Sequence, residues 1–192
     1  MSELTQALNR IMTWLSENQP SFAASFLPGL TNEQIHAAVQ HLPFELPEEI
    51  YELYRWRNGT QERHDCDFYP AMEFLTIEKA VKLYEDIATN DGTEEEIRFE
   101  GYKFFTFIVT DNDFTNILIG TKEKPLPVIY FYAEDCETEI AYSSLTNMML
   151  TIAECYETGA YYLTEDGFVE QNEVKSAEIF RKYNPNILED DN

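Results

Sequence analysis

Apolar positions in this chain repeat first at helical spacing, then in the short runs typical of strands, then at helical spacing again. Leu4, Leu8, Ile11, Met12 and Leu15 form a stripe behind a Ser2 cap, and Pro20 is expected to close that helix. The stretch from Ser21 to Leu30 reads as a connection. Thr31-Asn32-Glu33-Gln34 is a capping box, because a threonine and a glutamine three residues apart can each satisfy the other's end of the backbone. Ile35, Ala38, Val39 and Leu42 follow as a short apolar face that Pro43 ends. From Leu46 to Thr60 the chain carries a helix with start and stop signals. Pro47 is expected in its first turn, and Glu48 and Glu49 lie where the helix dipole favours negative charge. Ile50, Leu53 and Tyr54 share a side with Leu46, and Asn58-Gly59 offers residues that tolerate a left-handed ending.

Thr60 to Pro70 is polar and irregular. Thr76 then caps a helix with Ile77, Ala80, Val81, Tyr84, Ile87 and Ala88 inward and a Glu78 to Lys82 pair outward; Asn90-Asp91-Gly92 stops it. Beyond Glu94-Glu95-Glu96 the period changes. Runs at 104–109, 116–119 and 128–132 are aromatic or β-branched, and 138–142 is a possible fourth strand. The turns between them, Asp111-Asn112-Asp113 and Lys122-Glu123-Lys124-Pro125, are short enough for hairpins, which predicts an antiparallel meander. Apolar residues on both faces of the first and third runs imply a sheet covered on both sides. Ser144 caps a further helix with Leu145, Met148, Met149, Ile152, Ala153 and Tyr156 inward, and Gly159 lies past its end. Tyr161-Tyr162-Leu163 and Phe168-Val169 flank the turn Glu165-Asp166-Gly167. A last helix starts at Asn172 and carries Val174, Ala177, Ile179 and Phe180. Glu189-Asp190-Asp191-Asn192 reads as a frayed acidic end. The fold class is therefore α+β, a mainly antiparallel sheet packed with helices in a single domain.

Charge narrows the partners. Against 13 Lys+Arg stand 36 Asp+Glu, a formal net charge of −23, which repels nucleic acid and anionic membranes alike. An acidic surface keeps a protein soluble, and it also steers a basic partner. No apolar run is long enough to span a bilayer, and Met1-Ser2-Glu3-Leu4 lacks the basic and apolar regions of a secretory signal, so the expected location is the cytoplasm. Cys66, Cys136 and Cys155 are odd in number and far apart, as reduced thiols are.

Candidate chemistry is thin. His64-Asp65-Cys66-Asp67 sets four metal-ligand types in a row, but no second cluster exists to converge on them, and an ordinary polar loop explains them. His36 and His41 are five apart and share no helix face well. Asp111-Asn112-Asp113 opens like a calcium loop and then fails, with Asn116 where glycine is needed and Lys122 where the bidentate glutamate belongs. There is no nucleophile elbow and no phosphate-cradling loop. Among so many acids, adjacent carboxylates such as Glu134-Asp135 carry little information about catalysis. The residues thus point to no reaction, no metal and no cofactor.

Leu46, Pro47, Tyr54, Trp56, Asn58 and Gly59, followed by Tyr69-Pro70, by Phe74, Leu75 and Ala80, and by Ser144-Leu145, resemble the SUKH superfamily, which contains yeast cell-wall-assembly regulators and many bacterial immunity proteins. The resemblance runs from 27 to 159, leaving 1–26 as an N-terminal helical extension and 160–192 as a C-terminal hairpin and helix. Many relatives carry a Trp-Pro pair before the first central strand and a glycine-aspartate turn after it, where this chain has Phe104-Phe105 and Asp111-Asn112-Asp113. The resemblance implies a structural role for the motif residues and a non-enzymatic protein-binding function: an immunity protein that neutralises a toxin, often a nuclease, or a regulatory scaffold. An enzyme with an unrecognised carboxylate site is the third reading. For binding a basic protein the expected contacts are Glu94, Glu95, Glu96, Glu134, Asp135, Glu137 and Glu139, with Tyr161 and Tyr162 as aromatic anchors.

Overall fold

A computed structural model describes residues 1–61, 73–89, 103–110, 113–119, 125–132, 134 and 137–187. Its seven described helices are α1 (Glu3–Asn18), α2 (Pro20–Ala23), α3 (Asn32–Val39), α4 (Glu48–Trp56), α5 (Ile77–Thr89), α6 (Leu145–Thr158) and α7 (Glu173–Tyr183). The strands are β1 (Phe26–Pro28), β2 (Arg57–Thr60), β3 (Glu73–Phe74), β4 (Lys103–Val109), β5 (Asp113–Ile119), β6 (Val128–Tyr132), β7 (Glu137–Tyr142), β8 (Tyr161–Leu163) and β9 (Val169–Gln171).

Strands β3 to β7 form one antiparallel sheet in chain order, the meander that the short turns predict, with the two-residue β3 added at one edge. The sheet is buried on both faces. Phe105, Ile117 and Val128 point to the main core, while Asn116, Ile129 and Phe131 alternate to the opposite side. The buried Asn116 is satisfied there, accepting from the Thr106 hydroxyl and donating to the Phe114 carbonyl at 3.0 Å. Helix α5 packs on β4, and α6 packs on α1, α7 and β7. One apolar cluster runs through all of this, from Leu4, Leu8 and Ile11 on α1 to Ile50 and Leu53 on α4, Met148 and Ile152 on α6, and Tyr161, Val169 and Ile179 beyond it.

The caps of α1, α3, α6 and α7 form as the sequence predicts: Ser2, Thr31, Ser144 and Asn172 each accept a backbone N–H three residues on, and Thr31 and Gln34 complete the capping box. Gly159, at φ 71°, ends α6. Three expectations change. Pro20 follows the end of α1 but also opens α2, since proline suits a first helical position as well as it bars an interior one, and the expected connection from 21 to 30 holds α2 and β1. Pro47 is the cap of α4 rather than its first-turn residue. Asn58-Gly59 does not stop α4, which ends at Trp56; both lie in β2, paired with β1. Val174, in the first turn of α7, is 70% exposed, and the helix meets the core through Ile179, Phe180 and Tyr183 of its later turns. The expectations for Tyr69-Pro70, for the helix stop at 90–92, for the frayed end and for most of the turns at 111–113 and 122–125 lie outside the described residues.

Candidate functional site

Two places concentrate the residues singled out in the sequence. The first is the segment from Leu46 to Thr60, where every motif residue has a structural partner. Leu46 is buried. Tyr54 is fully buried against the Phe74 ring, 5.6 Å between centroids, and donates its hydroxyl to the Leu75 carbonyl at 3.3 Å; burial pushes that hydroxyl's pKa well up, so it stays a neutral donor. Trp56 donates its indole N–H to Asn9 Oδ1 at 3.1 Å, tying α4 to α1. Leu75 donates its N–H to the Phe107 carbonyl at 3.0 Å and so hangs β3 on β4.

Asn58 and Gly59 act on another helix altogether. The buried Asn58 accepts the Ile77 N–H at 2.9 Å, the first amide of α5, and its Nδ2 donates to Glu78 at 3.3 Å. It thus caps α5 across 19 residues while Thr76 caps it locally through the Lys79 amide. Gly59 sits at φ 75°, and a Cβ on it would lie 2.5 Å from the Thr76 nitrogen and 2.6 Å from the Leu75 carbonyl carbon. Only glycine lets the two backbones come that close.

Two acids of α4 perform the same service. Glu49 accepts the Thr146 N–H at 2.9 Å in the first turn of α6, and Glu52 accepts the Thr5 N–H at 2.9 Å in the first turn of α1 and is also bonded to the Ser2 hydroxyl. Desolvation pushes the Glu52 carboxyl up, but the bonds from Ser2 and Thr5 outweigh it and hold the group below the usual carboxylate range. One segment therefore completes the starts of three helices, α1, α5 and α6. Its chemistry is architectural.

The second place is the β6–β7 hairpin. Glu134, Glu137 and Glu139 are all exposed on it. Register sets Glu137 opposite Tyr132 and Glu139 opposite Tyr130, so acids and tyrosines share one face of the sheet's end. The Tyr132 hydroxyl donates to Glu139. Behind them Tyr130 meets Tyr142 edge-on at 6.1 Å, and Tyr142 meets Phe180 of α7 at 5.5 Å, so the acids stand in front of a chain of aromatic contacts. Glu94, Glu95, Glu96 and Asp135 lie outside the described residues. The two tyrosines proposed as anchors separate. Tyr161 is buried, edge-on to Tyr156 at 5.4 Å, and belongs to the core; Tyr162, its neighbour on β8, points outward and bonds Glu170 at 3.1 Å.

Other candidate groups find ordinary surroundings. Burial pushes the Cys155 thiol up to about 12, which leaves it protonated and unreactive at neutral pH. His41 pairs with Glu85 at 2.9 Å on the surface. His36 borders an open cleft of about 360 Å³ beside Leu42, Phe44 and Tyr51. Among the described residues no three His, Cys, Asp or Glu side chains gather as metal ligands do, and the sequence 64–67 lies outside them. No described helix is long and apolar enough to cross a membrane.

A five-stranded antiparallel meander, helices packed on it, and a capping segment that joins three of them define an α+β domain whose motif residues maintain its frame. The chain belongs to the SMI1 / KNR4 family (SUKH-1), whose model matches residues 29–151. Comparison with curated proteins finds no match. The family supports a protein-interaction or immunity role in general.

Proposed function

We propose that this chain is a non-enzymatic protein-binding domain that acts in the cytoplasm as an immunity protein, masking a basic toxin, with a nuclease as the toxin type whose charge fits best. The observation that carries this reading is the net charge of −23, part of which is displayed as the exposed acids Glu134, between β6 and β7, and Glu137 and Glu139 on β7, in a chain of this family. Such charges raise the rate at which a basic partner arrives, by long-range attraction that salt weakens. If a neighbouring gene encodes a toxin with a basic domain, co-expression with that domain should restore growth and yield a stoichiometric complex. Its association rate should fall with salt and in the Glu134→Gln, Glu137→Gln, Glu139→Gln triple variant. An association rate indifferent to both salt and variant would remove the steering argument. Failure to restore growth or to form any complex would remove the immunity reading in favour of a regulatory scaffold.

A further inference from the structure

Strand β7 is the last strand of the five-stranded sheet, and among the described residues no strand pairs with its outer edge. The opposite edge, β3, is two residues long and is closed off by β2, whose Thr60 hydroxyl bonds the Phe74 carbonyl at 3.3 Å. The C-terminal end of β7 is covered too, since the Ser143 amide donates to Asn184 at 3.1 Å just beyond α7. Among the described residues, the stretch 137–140 has no strand on its outer side. A free strand edge offers a row of backbone donors and acceptors to any extended chain that can approach it.

The side chains of that stretch specify what can approach. Glu137 and Glu139 project on one face, and Thr138 and Ile140 on the other, where Ile140 is 39% exposed. A second copy of this chain is a poor occupant, because pairing two such edges would set glutamates beside glutamates. A segment that alternates basic and apolar residues is a good one: its Lys or Arg side chains would stand across from Glu137 and Glu139, and its apolar side chains beside Thr138 and Ile140. We propose that β7 is a docking edge at which an extended basic-apolar segment of the partner adds as a sixth strand. This rests on the basic-partner reading above and names its mode of recognition. Glu139 is already held by the Tyr132 hydroxyl, and Tyr130 on the same face packs edge-on against Tyr142.

The test uses the full chain and a synthetic peptide of about nine residues alternating lysine and valine. Residue-resolved amide exchange, at about 0.15 M salt, should show the outward amides of 137–140 slowed by about tenfold or more by saturating peptide. The same peptide with N-methyl groups along its pairing edge should lose that effect, as should the variant Glu137→Lys, Glu139→Lys. The control variant Glu17→Lys, Glu178→Lys, which changes exposed helix positions and net charge equally, should keep it. Peptide that binds without slowing these amides, N-methylated peptide that binds equally well, or no binding at all would each overturn the docking edge. A toxin complex in which 137–140 exchange freely would overturn the edge and leave the immunity reading standing. Peptide addition at β7 in a chain that protects against no toxin would do the reverse.

Discussion

Replacing Asn58 by alanine isolates the cap that β2 delivers to α5. The substitution removes the acceptor of the Ile77 N–H, and Ile77 is fully buried, so no water replaces it. Losing a helix cap costs about 0.5–2 kcal/mol, and stranding a buried donor costs about 1–3 kcal/mol. Both figures describe the same bond and are not summed. The expected loss is about 2 kcal/mol, which for a chain of this size lowers the melting temperature by roughly 4–8 °C. Urea titration followed by circular dichroism would read it as a lower midpoint with an unchanged slope. Asn58→Gly separates this account from the helix-stop reading of the sequence. A stop signal tolerates glycine there, whereas a side-chain cap disappears with it, so glycine should cost at least as much as alanine. Alanine and glycine variants within about 0.5 kcal/mol of the parent would refute the cap.

Gly59→Ala should destabilise by at least about 1–3 kcal/mol, because alanine strains at positive φ and its methyl meets backbone atoms that cannot move aside; an unchanged urea midpoint would contradict the close approach. Leu53→Ala, at a position 1% exposed, should cost about 2–5 kcal/mol in the same titration. The Glu154 carboxyl is held below its ordinary range, first by the bond from Lys182 and then by that from Tyr183. A lowered folded-state value means the unfolded chain binds the extra proton, so this contribution is complete above the ordinary carboxylate range and is lost as pH falls through the folded value; between about pH 5 and pH 3 the parent should lose more stability than Glu154→Gln.

Much of the frame was legible because its signals are local. Ser2, Thr31, Ser144 and Asn172 cap the helices that begin beside them, and the meander follows from short turns between β-branched and aromatic runs. Asn58-Gly59 was misread for a physical reason: a left-handed glycine after an asparagine looks the same whether it ends its own helix or admits a backbone from elsewhere. The capping roles of Glu49 and Glu52 had no local signal at all, their partners lying 97 and 47 residues away. At the candidate surface the acids were legible as composition but not as arrangement. Tyr161 and Tyr162 were read as a pair of anchors, but neighbours on a strand face opposite ways, and only Tyr162 points outward. The two-residue β3 and three-residue β1 are too short to show any period.

The capping segment from Glu49 to Asn58 also bears on how this protein comes together. Its bonds to α6, α1 and α5 span 97, 47 and 19 residues, so parts of three helix starts that are ordinarily settled within one turn are settled here by long-range closure. Such closures cost chain entropy before they return any stabilisation, which delays folding relative to a bundle of self-sufficient helices. They also make the pieces answer to one another. A helix that frays at its first turn gives up a bond to α4 or β2, and the other two lose a partner's support through the same few residues, so the chain should unfold as one unit and not helix by helix.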